Sequence, residues 1–111
     1  MYRLVRIDLD RLGEYRERLT AYVADLRRRF RISRVILFGS FARPEDVHEM
    51  SDIDLVVVGD VPGRFTERIG AVRELTDLPV EPLVYTDEEW RQMLADENSF
   101  VEEVVETGVD L

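Results

Sequence analysis

The sequence predicts an α/β domain in which helices flank a small mixed β-sheet. Three apolar runs with strand character, 35–38, 53–58 and 80–85, alternate with segments whose apolar residues recur every three or four positions. Strands separated by helical segments indicate one sheet covered by helices. The 111 residues, 45% of them hydrophobic, are expected to form a single domain (1–111) with its own core.

The first helical segment carries one apolar stripe and a basic end. Asp10 is the predicted N-cap, and capping explains the Asp8/Asp10 pair better than metal binding does. The stripe comprises Leu12, Tyr15, Leu19, Val23, Leu26 and Phe30. Five arginines follow at the end of the helix: Arg27, Arg28, Arg29, Arg31 and Arg34. They are either cations favourably placed at a helix C-terminus or a contact for a partner or RNA.

The middle of the chain contains two strands and a second helix. The strand at 35–38 leads into the Gly39-Ser40 turn and then into a short helix or loop that reaches Met50. The strand at 53–58 ends where Pro62-Gly63 breaks the chain. Residues at helical intervals then predict a second packed helix: Phe65, Ile69, Val72 and Leu75.

The last part of the chain predicts one strand and two helices. Pro79 starts the strand at 80–85, and Thr86 with Glu89 forms a capping box for a helix that runs through Leu94. Asn98 is the predicted cap of the final helix, and Gly108 fits its C-terminal cap. The residues expected to face inward from this final helix are Phe100, Val104 and Val105.

Composition limits the classes of function. The net charge is −9, so general nucleic-acid binding, which requires a basic domain, is not expected. Residues 86–111 carry one arginine against nine acidic residues, which favours a basic protein partner. There is no cysteine for disulfides or thiolate metal sites, and neither a membrane-length apolar run nor a signal sequence is present. We therefore expect a cytoplasmic protein.

One compound motif carries most of the chemical information. Gly39-Ser40 follows the first strand, and after eleven intervening residues Asp52 and Asp54 stand at the start of the second. Residues two apart on a strand project from the same face, so both carboxylates are expected to enter one site. Hard anionic oxygens beside a glycine turn suit a divalent cation and a triphosphate tail. The structural alternative is that both aspartates cap the loop.

This motif resembles that of the minimal nucleotidyltransferases of the DNA polymerase beta superfamily, many of which are antitoxins paired with HEPN-domain RNase toxins. The resemblance rests on Gly39-Ser40 with Asp52-Ile53-Asp54 and runs from about Arg34 to the C-terminus. It implies a nucleotidyltransferase fold of the polymerase beta palm type. It also implies transfer of AMP from Mg²⁺-bound ATP to a hydroxyl.

The resemblance also assigns roles to individual residues. The implied catalytic and metal-binding residues are three carboxylates, Asp52, Asp54 and Glu81. They would hold two Mg²⁺ ions about 3.5–4 Å apart, and Glu81 would be the general base. Ser40 would hydrogen-bond a terminal phosphate oxygen, which the Gly39 backbone can approach closely. Arg43 would neutralise phosphate charge, or is a surface residue.

Other polar and aromatic residues are interpreted as structural. His48 is expected on the surface, and Tyr85 and Trp90 in the core or at its rim, without adenine stacking. Solvated helix faces are expected at Glu88, Glu89, Glu102 and Glu103.

The acceptor is expected to be another protein, because only 26 residues follow the third strand. The resemblance implies a HEPN toxin, modified on a tyrosine near its RNase site by this chain acting as antitoxin. A second hypothesis is a non-catalytic module that masks its partner, favoured by Glu81 where the family has aspartate and by Pro44 in the spacer. A third is a small-molecule nucleotidyltransferase.

Overall fold

The computed structural model describes residues 9–48 and 51–111, which contain a four-stranded mixed sheet. The strands are β1 (Arg31–Phe38), β2 (Ile53–Asp60), β3 (Val80–Tyr85) and β4 (Val109–Asp110). Their order is β3-β2-β1-β4; β1 is antiparallel to β2 and β4, and β2 is parallel to β3. The predicted fold class is confirmed.

Four helices accompany the sheet: α1 (Leu12–Arg29), α2 (Phe65–Arg73), α3 (Asp87–Ala95) and α4 (Ser99–Thr107). Among the described helices, none combines the length and apolar character needed to cross a membrane. The expected helix or loop after β1 consists of two 3-10 turns, Gly39–Ala42 and Pro44–Asp46. The predicted end of that segment, Met50, and the predicted capping residue Asp8 lie outside the described residues.

The sheet is buried on both faces. Val35 and Leu37 of β1 pack into a core with α1 and α2, whereas Ile36 between them packs into a second core with α3 and α4. Side chains alternate between faces along a strand, so a strand covered on both faces must be apolar at consecutive positions. This explains the uninterrupted run of buried apolar side chains in β2, 55–58.

The start of α1 differs from the prediction, although its stripe is confirmed. The N-cap position is Arg11, and Asp10 lies in a 3-10 turn, Leu9–Arg11, that continues directly into the helix. The predicted cap is therefore wrong, because the residue directly before α1 is not extended and presents no capping side chain. Tyr22, absent from the predicted stripe, is also buried, and its hydroxyl donates to the Val72 carbonyl at 2.5 Å.

Two further predictions about packing are wrong. Phe65, the first residue of α2, is 37% exposed rather than packed in the core. On α4, Val105 is 40% exposed, and Val101 is buried instead. Val101 and Val104 are three positions apart and share the helix face that covers the sheet, whereas Val105 lies outside it.

The caps of α3 and α4 confirm the predictions. Thr86 and Glu89 form a capping box, and Asn98 Oδ1 accepts a hydrogen bond from the Val101 amide. Gly108 occupies the C-cap of α4, but its φ of −78° is open to any residue. Glycine is required there because a Cβ would overlap the side chain of Ile36. This close approach allows the unpredicted strand β4 to pair with β1.

Glu89 lies on a solvated face of α3, as predicted, but its carboxylate also pairs with a buried cation. Arg68 is 7% exposed, and its guanidinium donates to both carboxylate oxygens of Glu89, at 2.7 and 3.3 Å. It also donates to the carbonyls of Val84 and Gly63. Arg68, followed by the Thr86 amide, lowers the pKa of Glu89 to about 2. A buried guanidinium needs such partners to offset its lost hydration.

We expect Glu89→Gln to lower the free energy of unfolding at pH 7 by about 1–2 kcal/mol, because Arg68 loses its counter-charge while the Thr86 amide keeps an acceptor. The folded pKa of Glu89 lies below its ordinary value near 4.5. The stabilisation is therefore complete above about pH 4.5 and is lost as the pH falls towards 2. Urea denaturation of both proteins at pH 7, 4 and 2.5 measures the difference.

Glu88→Gln is the matched control for this prediction. Glu88 is exposed in the same helical turn, so its loss changes the local charge equally without touching Arg68. Its effect is expected to stay within about 0.5 kcal/mol. Equal stabilities of the two variants at pH 7 would show that the Arg68–Glu89 pair has no net stabilising effect.

Candidate active site

Three carboxylates lie at one end of two parallel strands. Asp54 is the second residue of β2, and its register partner on β3 is Glu81. Partners in neighbouring strands project from the same sheet face, and Asp52 lies two residues before Asp54. Ile53, between the two aspartates, is fully buried in the core on the opposite face. The structure thus places all three carboxylates that the sequence singled out at the same end of the sheet, although the side chains as they stand do not form a three-acid metal site.

The Gly39 turn lies against the carboxylate of Asp54. Gly39 has a φ of +70°, the left-handed region that favours glycine, and a Cβ at this position would overlap Oδ2 of Asp54. A hydrogen bond from the Arg43 amide to the Ser40 carbonyl, 3.0 Å long, closes the turn. Both the backbone conformation and the contact therefore require glycine at position 39, beside the acids.

Ser51 fixes the loop that delivers Asp52, a role that the sequence analysis missed. It is 4% exposed, its Oγ accepts a hydrogen bond from the His48 amide, and its own amide donates to the His48 carbonyl, both at 2.9 Å. Two residues later, the Ile53 amide donates to the Pro79 carbonyl at 2.9 Å. Asp52 is thus held between two anchored residues. A serine directly before the Asp-x-Asp pair was the available sequence signal.

Burial of Asp54 and repulsion from its neighbouring acids are the main electrostatic features of the site. Burial, followed by the negative charges of Asp52 and Glu81, raises the pKa of Asp54 to about 6. The carboxylate is half-buried, and no cation in the described part of the chain reverses that shift. Such a perturbed acid in an anionic cluster is characteristic of functional sites. The donor set of carboxylate oxygens fits a hard divalent cation, which would relieve this repulsion.

Glu81 is partly neutralised by an arginine from α2. Its Oε1 lies 3.7 Å from Nη2 of Arg73, and both side chains are about half exposed. As the side chains stand, no group of three or more acidic or histidine residues in the described chain is close enough to hold a metal ion. Asp52 and Asp54 fit the metal as a pair. For Glu81 to bind the same metal ion as Asp52 and Asp54, its carboxylate must move away from Arg73 and towards Asp54.

The remaining predicted residues lie at the edge of the site or away from it. Arg43 is exposed and donates to Asp46 Oδ2 at 2.6 Å, and His48 is exposed in the same loop. Trp90 is buried in the second core, and Tyr85 packs against it at the other end of β3. Neither aromatic ring lies near the carboxylates, so their structural interpretation agrees with their position.

The sequence matches the model of one protein family, the nucleotidyltransferase domain. The model of that family matches residues 19–109, a span that contains the Gly39-Ser40 turn and all three carboxylates. The chain therefore belongs to the nucleotidyltransferase domain family, whose general chemistry is nucleotidyl transfer from a nucleoside triphosphate with a divalent metal. No curated protein and no solved structure matches the chain significantly.

We expect Gly39→Ala to destabilise the protein by at least about 1–2 kcal/mol, because alanine tolerates a positive φ poorly and its Cβ meets Asp54. In an Asp54→Ala background the same change should cost less, since the overlapping carboxylate is gone. A double-mutant cycle by urea denaturation measures this coupling, expected to exceed about 0.5 kcal/mol.

Gly70→Ala is the control for the glycine prediction. Gly70 lies within α2, and outside its own helix no heavy atom comes within 4 Å of the place that a methyl group would take. Alanine should therefore stabilise the protein by about 0.5–1 kcal/mol. Additive effects of Gly39→Ala and Asp54→Ala would contradict the contact between the two residues.

We expect Asp54→Asn to stabilise the metal-free protein at pH 8 by about 1 kcal/mol, allowing for solvent screening of a half-exposed carboxylate. The folded pKa, about 6, lies above the ordinary value of 3.8. Ionised Asp54 therefore destabilises the fold fully above pH 6 and not at all below about pH 3.8. Denaturation in EDTA at pH 8 and pH 3.5 tests both limits.

Asp60→Asn is the matched control, because Asp60 is an exposed aspartate at the opposite end of β2. It should change stability by no more than about 0.5 kcal/mol at either pH. If Asp54→Asn were no more stable than Asp60→Asn at pH 8, the carboxylates would not repel one another as described.

Proposed function

We propose that this chain is a Mg²⁺-dependent nucleotidyltransferase that transfers AMP from ATP to a tyrosine hydroxyl of a HEPN-domain RNase toxin, and so acts as a cytoplasmic antitoxin. The observation that carries the enzymatic part is the contact of Asp54 with Gly39, with Asp52 and Glu81 beside it. It places the anionic candidate metal ligands beside the turn that carries Ser40. The resemblance of the motif to antitoxins of this type supports the choice of partner.

Each polar residue has a part in this reaction. Asp52 and Asp54 would hold Mg²⁺, which when bound neutralises charge on the triphosphate and lowers the pKa of the acceptor hydroxyl. The pKa of Asp54, about 6, implies that metal binding at or below that pH displaces a proton from this residue. Ser40 would donate its hydroxyl hydrogen to a phosphate oxygen.

Glu81 is the candidate general base. It would take the proton of the acceptor hydroxyl as that oxygen bonds to the α-phosphorus, while the bond from the α-phosphorus to the bridging oxygen breaks and pyrophosphate leaves. Arg73 lies beside Glu81, with its Nη2 3.7 Å from Oε1 of the carboxylate. Asp52 and Glu81 are both exposed, so an acceptor on the surface of another protein has access to them.

The ion pair between Arg73 and Glu81 favours a second candidate function. The ion pair engages the carboxylate of Glu81. Within the described residues, no three acidic side chains as they stand lie close enough together to hold a metal ion. A chain that kept this pair permanently would bind and mask its partner without nucleotidyl transfer. Under this alternative the acids are remnants of the family's site, and neutralisation of the partner is independent of Asp52 and Asp54.

The test is transfer of label from α-labelled ATP, with Mg²⁺, to the product of the adjacent gene. We expect label on that protein, reduced at least about 100-fold by Asp52→Asn/Asp54→Asn, because the metal-binding pair is lost. Asp60→Asn should transfer at the wild-type rate. Undiminished transfer by the double variant would end the enzymatic proposal.

The same proteins distinguish the masking alternative. If no label is transferred, yet the chain and its partner form a stable complex and the double variant still neutralises the partner, masking is the function. If the double variant binds the partner but no longer neutralises it, masking is contradicted.

A further inference from the structure

A cavity of about 200 Å³ adjoins the candidate active site, between the loop after β1 and helix α4. One wall comes from Phe38, Gly39 and Arg43, and the other from four residues of α4: Phe100, Glu103, Val104 and Thr107. Phe38 is the register partner of Asp54, so the cavity opens on the same sheet face as the carboxylates. Gly39 belongs both to the cavity, which it lines, and to the candidate active site, where it contacts Asp54.

The interior of the cavity is aromatic and its α4 rim accepts hydrogen bonds. The rings of Phe38 and Phe100 meet edge to face, with centroids 5.6 Å apart, and both are partly exposed. The carboxylate of Glu103 only accepts hydrogen bonds. The Thr107 hydroxyl already donates to the Glu103 carbonyl at 2.8 Å, so towards a ligand it too can only accept. The cavity therefore suits a flat ring system that carries hydrogen-bond donors.

The charges of the two walls orient a ligand. Arg43 and the open Gly39 turn favour phosphate on the loop side, whereas Glu103 repels phosphate from the α4 side. A nucleoside carries rings and donors, including ribose hydroxyls, at the end opposite its phosphates. The volume lies below the roughly 300–1,000 Å³ of sites for drug-sized ligands, which fits the nucleoside part rather than a whole triphosphate.

We propose that this cavity, the nucleoside pocket, binds the base and ribose of the donor nucleotide, with Glu103 as the acceptor of its donor groups. The inference rests on the proposed nucleotidyltransferase function and adds residues from α4 to the substrate site. Phe38 and Phe100 supply apolar contact for the rings. Glu103, interpreted from the sequence as part of a solvated face, becomes the residue that holds the nucleoside end while the Gly39 turn receives the phosphates.

The test compares binding of MgATP with binding of magnesium tripolyphosphate, which has the phosphates without the nucleoside. Isothermal titration should show that the wild type binds MgATP more tightly. Glu103→Ala should weaken MgATP binding about tenfold, the effect of one lost charge-assisted hydrogen bond, and leave tripolyphosphate binding unchanged. Thr107→Phe, which fills the pocket from its exposed rim, should reduce MgATP binding to the level of tripolyphosphate.

Two variants on the same helix are matched controls. Glu102→Ala and Glu106→Phe alter exposed positions of α4 that do not line the pocket, and both should bind MgATP as the wild type does. Circular dichroism should show that all four variants are folded. Glu102→Ala is the same change as Glu103→Ala at a neighbouring position, and Glu106→Phe introduces the same side chain as Thr107→Phe.

The outcomes separate this inference from the proposed function. If the wild type binds MgATP and tripolyphosphate equally, or if Glu103→Ala and Thr107→Phe leave MgATP binding intact, the nucleoside pocket is contradicted while the triphosphate site stands. If the wild type binds neither ligand, the proposed nucleotidyltransferase function fails, and the pocket with it.

Discussion

The contact between Asp54 and Gly39 is the constraint on which the active-site architecture depends. A carboxylate at the second position of β2 points at the end of β1, where any residue with a Cβ would displace it. Glycine at that point resolves the overlap and also accepts the positive φ that turns the chain into Gly39–Ala42. One residue therefore seats the carboxylate and keeps the neighbouring backbone open to a ligand.

In the candidate active site the carboxylates repel one another, whereas elsewhere in the fold the buried charge of Arg68 is neutralised. Arg68 donates hydrogen bonds to both oxygens of Glu89 and to two carbonyls, so its charge and most of its N–H groups have partners. Asp54 instead is half-buried beside two other acids, and burial, followed by their charges, raises its pKa to about 6. The fold thus offsets the charge of Arg68 but leaves the repulsion at Asp54 unrelieved. A bound cation would offset that repulsion.

Arg73 connects the scaffold to the site. It lies at the end of α2, the helix that also carries Arg68, and its guanidinium approaches Glu81. The position of α2 against β3 therefore decides how close a cation lies to the third carboxylate. The side chain of Glu81 is one methylene longer than that of aspartate. Its carboxylate can therefore lie either near Arg73 or near Asp54 on the neighbouring strand.

The sequence by itself determined the fold class, the order of the main elements and the identity of the three acids. Periodicity and capping chemistry are local, so the boundaries of β3, the Thr86–Glu89 box and the Asn98 cap could be predicted from neighbouring residues. The Asp-x-Asp motif likewise carries its geometry within three residues, because a strand projects alternate side chains from one face.

Only the tertiary structure decided what depends on contacts between distant residues. The pairing of Arg68 with Glu89, the approach of Arg73 to Glu81 and the overlap that requires glycine at 108 each join different elements, and no local pattern records them. The same is true of the pocket between Gly39 and α4. Burial and charge environment are properties of assembled surfaces, which is why the sequence identified the acids but not the residues that control them.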